Sequence, residues 1–170
     1  MRDTRKVRGV TLTELLIVIL LICIVVAIAV PKIFRSRIAA NEATAISALQ
    51  GINRAQSQYH AAYPSHGFAT SLSDLGGPTP CTPSPTSACL VDKMIAAGAK
   101  SGYNFSIHAV TSENGTVTDY VAGAAPQEYN KSGVRMFCTM ADTMIRYTAN
   151  TARSTEPPDV AACRSATPLE

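Results

Sequence analysis

The stretch LLIVILLICIVVAIAV, Leu15–Val30, runs sixteen residues without a charged side chain. Extending it back to Val10 adds only Thr11, Thr13 and Glu14 as polar members. As a helix, these residues at about 1.5 Å each span roughly 31 Å, close to the hydrocarbon thickness of a bilayer. β-branched Ile and Val are modest helix formers in water, but lipid leaves the backbone no other way to satisfy its polar groups. The stretch is therefore read as a membrane helix or a secretion signal. Pro31 closes it and is expected to kink the helix there, because proline removes a backbone donor.

This run accounts for an unusual composition. Charged residues make up 16% of the 170-residue chain, against roughly 25% in ordinary soluble domains. The net charge of +3 lies wholly in residues 1–9, where Arg2, Arg5, Lys6 and Arg8 outnumber Asp3. Residues 10–170 carry eleven basic and eleven acidic side chains. A nucleic-acid interface built on phosphate neutralisation needs a basic surplus that this body lacks, so no specific nucleic-acid binding is expected.

Two sites of cleavage are compatible with the flanks. A general secretory signal has a basic start, an apolar middle and a small-x-small site. Ala27-Ile28-Ala29 fits, and a cut after Ala29 would release a secreted binding domain. Glu14 has no role in that reading. A carboxylate near the bilayer centre costs about 3 kcal/mol, and an acidic residue kept there marks a functional position.

Gly9-Val10-Thr11-Leu12-Thr13-Glu14-Leu15-Leu16 resembles the prepilin signature of type IV pilins and type II secretion pseudopilins. The resemblance implies that a dedicated prepilin peptidase/methyltransferase cuts after Gly9, N-methylates Val10 and leaves the apolar helix in place. Most of the family has Phe where this chain has Val10. Glu14 becomes the fifth mature residue, and Pro31 stands where many pilins carry a proline. The implied function is a structural subunit, not an enzyme, that polymerises with copies of itself and other pilins, drawn from membrane lipid through an inner-membrane assembly platform. A pseudopilin of a type II secretion system is the alternative within the same resemblance. Physically, Glu14 of one subunit and the new amine of a neighbour would offset each other's desolvation and fix axial register. The basic leader places the N-terminus in the cytoplasm and exports residues 32–170 to a pilus at the cell surface or a periplasmic pseudopilus.

The exported part reads as an α+β domain. From about 32 to 63 the apolar positions Ile38, Ala45, Leu49, Ile52, Ala55, Tyr59 and Ala62 draw one helical stripe, with Arg37, Asn41, Glu42, Ser47, Gln50, Asn53 and Arg54 on the exposed side. Residues 71–77 read as one turn of helix, 76–88 (GGPTPCTPSPTSA) as a Pro-rich loop, and Ala88–Ala97 as a short helix. Tyr103–Val110 and Val117–Ala124 form a hairpin about Asn114-Gly115, and Val134–Thr139 with Met144–Ala149 a second. The long helix should cover one face of these three to four strands, spanning about 103–149. Residues 151–170 should fray unless tied down.

Cys23 lies in the apolar stretch and reads as a small apolar residue. Cys81, Cys89, Cys138 and Cys163 lie in the exported part, where disulfides persist, and permit three connectivities. The sequence-local choice, Cys81–Cys89 and Cys138–Cys163, is preferred, closing loops worth about 2.5 and about 3.5 kcal/mol on the chain-entropy model. The region 138–163 then resembles the C-terminal disulfide-bounded loop of major type IV pilins. No metal site or cofactor is expected, since neither pair has CxxC spacing and His60, His66 and His108 are scattered. Asp92, Glu113, Asp119 and Asp142 carry no calcium-loop spacing, and no catalytic motif is present.

Overall fold

The structure, a computed structural model, describes residues 10–111 and 116–169. It divides into two compact units at Ser36/Arg37. Helix α1, Leu12–Ala62, contributes to both. The second unit adds α2 (Leu72–Leu75), α3 (Lys93–Ala96), α4 (Val160–Arg164) and six strands: β1 (Ala99–Lys100), β2 (Tyr103–Thr111), β3 (Val117–Pro126), β4 (Arg135–Met140), β5 (Arg146–Ala149) and β6 (Thr167–Pro168).

The strands form one antiparallel meander in chain order, with Phe105 opposite Ala124 and Ala124 opposite Phe137. The α+β architecture holds, but the sheet is larger than the three to four strands expected. The additions, β1 and β6, are two-residue edge pairings too short to show period-2 alternation. The Asn114-Gly115 turn lies outside the described residues. The helix expected over Ala88–Ala97 is confined to Lys93–Ala96. Backbone N–H groups of Ala88, Cys89 and Leu90 instead donate to the carbonyls of Asp74, Gly76 and Leu75 at 2.7–2.8 Å. Asp92 then starts α3 by accepting from the Met94 and Ile95 amides.

Both faces of the centre of the sheet are covered. On one, Leu49, Ile52, Ala55 and Tyr59 of α1 join Phe105, Tyr120, Ala122, Ala124 and Phe137 in the main core. On the other, Val121, Cys138 and Met140 pack with Cys163, Ala166 and Val160 from the C-terminal segment. Residues 151–169 thus supply α4, β6 and a second small core, and the Cys138–Cys163 disulfide lies within it. The approach of this segment is close at Gly123, where a Cβ would stand 2.8 Å from that of Pro157 and 2.9 Å from the Pro158 carbonyl oxygen.

The face of α1 read as solvated needs correction at two positions. Glu42 and Asn53 are buried, whereas Ser47, Gln50 and Arg54 are exposed. Glu42 is 4% exposed, and its carboxylate accepts from the Val134 and Arg135 amides and from Arg135 Nε and Nη2, the last at 2.7 Å. Asn53 donates to Thr139 Oγ1 and accepts from the Tyr120 hydroxyl, each at 2.9 Å. Gln56 closes a reciprocal pair with the backbone of Ala69, and the Tyr59 hydroxyl donates to the Pro85 carbonyl at 2.7 Å. Burying such groups is tolerable only because each is answered.

Glu42→Ala should cost about 2 kcal/mol, since it leaves two amides without their acceptor while the 39% exposed Arg135 can turn to water, and Glu42→Gln should cost less; denaturant unfolding of the full chain in micelles reads both. Cys81 is exposed while Cys138 and Cys163 are buried. Mild reductant without denaturant should therefore open Cys81–Cys89 first, seen as alkylation of Cys81 and Cys89 before Cys138 or Cys163 in a timed mass-spectrometric series.

Candidate functional site

The first unit holds the feature that its own chain leaves unsatisfied. From Leu12 to Phe34, the large apolar side chains of α1 are exposed on every side of the helix, and none of its most apolar 18-residue window is buried. An amphipathic helix turns one stripe to its core, whereas a helix apolar all round needs lipid or other helices on every side. By length and composition α1 suffices to cross a bilayer. Pro31 lies inside α1, and the helix continues through it. Cys23 is a free, exposed thiol on this surface.

The start of the helix is set by Thr11. Its Oγ1 accepts the Glu14 amide at 3.2 Å and its carbonyl accepts the Leu15 amide at 3.1 Å. Thr-x-x-Glu is the capping-box pattern, of which the Thr11 half is made here, and these four residues start the helix just ahead of the uncharged run. Val10 and Leu12 are 72% and 80% exposed. Glu14 is exposed, and among the described residues nothing forms a hydrogen bond or ion pair with its carboxylate. Val10 and Glu14 therefore stand together at the exposed helix start. Gly9, the expected cleavage position, lies outside the described residues.

In the second unit the cysteines pair as Cys81–Cys89 and Cys138–Cys163. No group of three or more His, Cys, Asp or Glu side chains suited to a metal occurs among the described residues. Of the acids considered for calcium, Asp92 pairs with Lys100 at 2.6 Å and Asp142 with Arg146. Asp119 accepts the Tyr120 and Ala141 amides, and Glu113 lies outside the described residues. A shallow groove of about 550 Å³ runs along Gln50, Asn53, Arg54, Ser57 and Gln58 of α1 beside Thr143. What sequence reading missed here is the helix-to-sheet anchorage. Glu42 meets Arg135 across 93 positions, and no local pattern announces such a partner.

Hydrogen bonds from Lys100 and Arg146 hold the Asp92 and Asp142 carboxyls below the ordinary range, against a smaller opposing effect of burial. Burial, with the nearby Glu42 and Asp119 charges respectively, pushes the Tyr103 and Tyr120 phenols upward.

Among known families, the model described as the prokaryotic N-terminal methylation motif matches residues 4–30. No curated protein and no solved structure matches the chain.

The pKa directions fix how stability responds to pH. A depressed carboxyl adds stability above its unfolded value of about 3.9 and loses it as pH falls through the folded value. Melting followed from about pH 5 to about pH 2 should show a shallower loss for the Asp92→Asn/Asp142→Asn pair than for the wild type. At the alkaline end the raised phenols act oppositely. Their stabilisation is complete below about pH 10 and is lost as pH rises further.

Proposed function

From the type IV pilin and pseudopilin signature that residues 4–30 carry, we propose that this chain is a structural subunit of a type IV pilus-like filament. In this reading, a prepilin peptidase cuts after Gly9 and methylates Val10. The subunit waits as a single-pass inner-membrane protein with residues 32–170 exported. It then polymerises through its apolar helix with copies of itself and other pilins. The observation that carries the reading is the uncovered helix of the first unit, apolar on every side and headed by the one acid of its apolar run, Glu14.

The physics of assembly follows from that surface. Moving the helix from lipid to a bundle of like helices exchanges one apolar surrounding for another. Water exclusion therefore supplies little, and close packing supplies most of the gain. Apolar packing of Leu, Ile and Val tolerates axial slips. A register is set when Glu14 meets the Val10 amine of a neighbour, because any other alignment leaves two charges unpaired in an apolar core. Thr11 supports this by fixing where the helix begins, and with it the spacing of amine and carboxylate. Four cysteines in the exported part favour a pilin over a pseudopilin, since pilins are the branch noted for a C-terminal disulfide-bounded region.

Two measurements test the reading. Mass spectrometry of the mature protein should find an end at methylated Val10; an end at Val30 would instead identify a secreted domain released after Ala29. Glu14→Leu should leave that cleavage intact and reduce filament yield at least tenfold by electron microscopy and shearing. Normal yield from the Leu variant would remove the ion pair from the mechanism. Long surface filaments distinguish a pilus from a short, secretion-dependent pseudopilus.

A further inference from the structure

Directly after the apolar run the chain reads PKIFRSR, Pro31–Arg37, and Lys32, Arg35 and Arg37 place three cations within six residues. No Asp or Glu occurs from Leu15 to Asn41. The next acid, Glu42, is buried and already answered by Arg135 and two amides. All three cations are exposed, and none has an ion-pair partner among the described residues. They are interleaved with Ile33 and Phe34, which are 53% and 59% exposed. A face turned to water has no use for those two apolar side chains; a boundary between lipid and water has a use for both kinds.

The position along the helix supplies that boundary. Residues 10–30 at about 1.5 Å each fill the hydrocarbon thickness, so residues 32–37 reach the headgroup level at the far end. There a Lys or Arg keeps its stem in apolar surroundings and its charge at the phosphates, and an aromatic ring such as Phe34 lies between them. Lys32 and Arg35 stand one turn apart on α1. Arg37 borders a polar hollow of about 360 Å³ with Asn41, Gln127, Glu128, Lys131 and Ser132. Glu128 and Lys131 pair at 2.6 Å, which leaves Arg37 as the unpaired cation of the hollow. Lys and Arg are ordinarily sparse on the exported flank of a membrane helix. Three of them there call for a counter-charge, and the bilayer supplies one at that depth as lipid phosphate. A zwitterionic headgroup carries its own ammonium beside the phosphate, whereas an anionic headgroup has its charge free.

We propose that Lys32, Arg35 and Arg37 form a collar that binds anionic phospholipid headgroups where α1 leaves the bilayer. The inference rests on the membrane-spanning role proposed above for α1. In the mature chain of that reading the leader cations are gone, and these three are the Lys and Arg that flank the apolar run. The collar therefore holds the exported end of the helix at the lipid surface. Entry into a filament exchanges the headgroups for other surroundings, so the collar also opposes premature extraction. A cation at an anionic lipid surface contributes about fivefold to the association.

The test places the full chain in phosphatidylcholine vesicles holding a trace of spin-labelled phosphatidylglycerol or spin-labelled phosphatidylcholine. Electron paramagnetic resonance reads the share of each lipid slowed at the protein. Every form compared carries Arg2→Gln/Arg5→Gln/Lys6→Gln/Arg8→Gln, which silences the cations of the leader. Phosphatidylglycerol should be preferred about fivefold, and adding Lys32→Gln/Arg35→Gln/Arg37→Gln should bring the two lipids to parity. Non-reducing peptide mapping checks that Cys81–Cys89 and Cys138–Cys163 form in both proteins. No preference in the parent, as expected if carboxylates of a neighbouring copy meet the cations, would overturn the collar. So would a preference that survives the three substitutions. Flotation after an alkaline carbonate wash reads the membrane span separately. A chain that floats without lipid preference overturns the collar alone, and a chain that washes off overturns the membrane reading with it.

Discussion

A carboxylate taken out of water must be answered by several donors, and Glu42 is answered by four from one place, the start of β4. That contact ties the helix to the middle of the meander and sets which way the apolar stripe of α1 faces. Arg135 is held in turn over the Phe137 and Tyr147 rings, at 5.4 and 5.6 Å from their centres. Asn53, Gln56 and Tyr59 continue the same face with hydrogen bonds to β3, β4 and two loops. Apolar contact drives the helix onto the sheet, and these hooks allow one register along it.

The sheet has a second cover, and the cysteines explain its permanence. A C-terminal segment of small, polar and proline residues has little apolar area with which to hold itself down. Val160, Cys163 and Ala166 give it a footing on Val121, Cys138 and Met140, and the buried disulfide makes that footing covalent. The gap at Gly123 lets the Pro157-Pro158 pair approach the strand. The result is a sheet whose centre, β3 and β4, is buried on both sides in a unit where one long helix alone would have left that face to water.

The first unit was the most legible part of the sequence. A continuous apolar run and the positions of Gly9, Glu14 and Pro31 are all local, and a local pattern survives without tertiary information. The long helix, the strands β2 to β5 and the loop over 76–88 were legible for the same reason, each having a period or a punctuation of its own. The second half of α1 was legible as a helix but only partly as a surface. Periodicity assigns Glu42 and Asn53 to the polar side, and it cannot know that Arg135 and Tyr120 will be waiting there. Residues 88–91 were read as helical from composition, and backbone pairing with residues 74–76 overrode that weak preference.

By itself the sequence determined that an apolar helix heads the chain, that one acid stands at its start, and that the remainder is an α+β unit with even charge. Those are consequences of hydropathy, period and count. Tertiary structure alone decided which polar residues are interior and that the C-terminal segment covers the back of the sheet. The physical reason is the same in both cases: a buried polar group and the C-terminal cover of the sheet take their meaning from partners far away in the chain, and the free energy of meeting them appears only when the chain has folded.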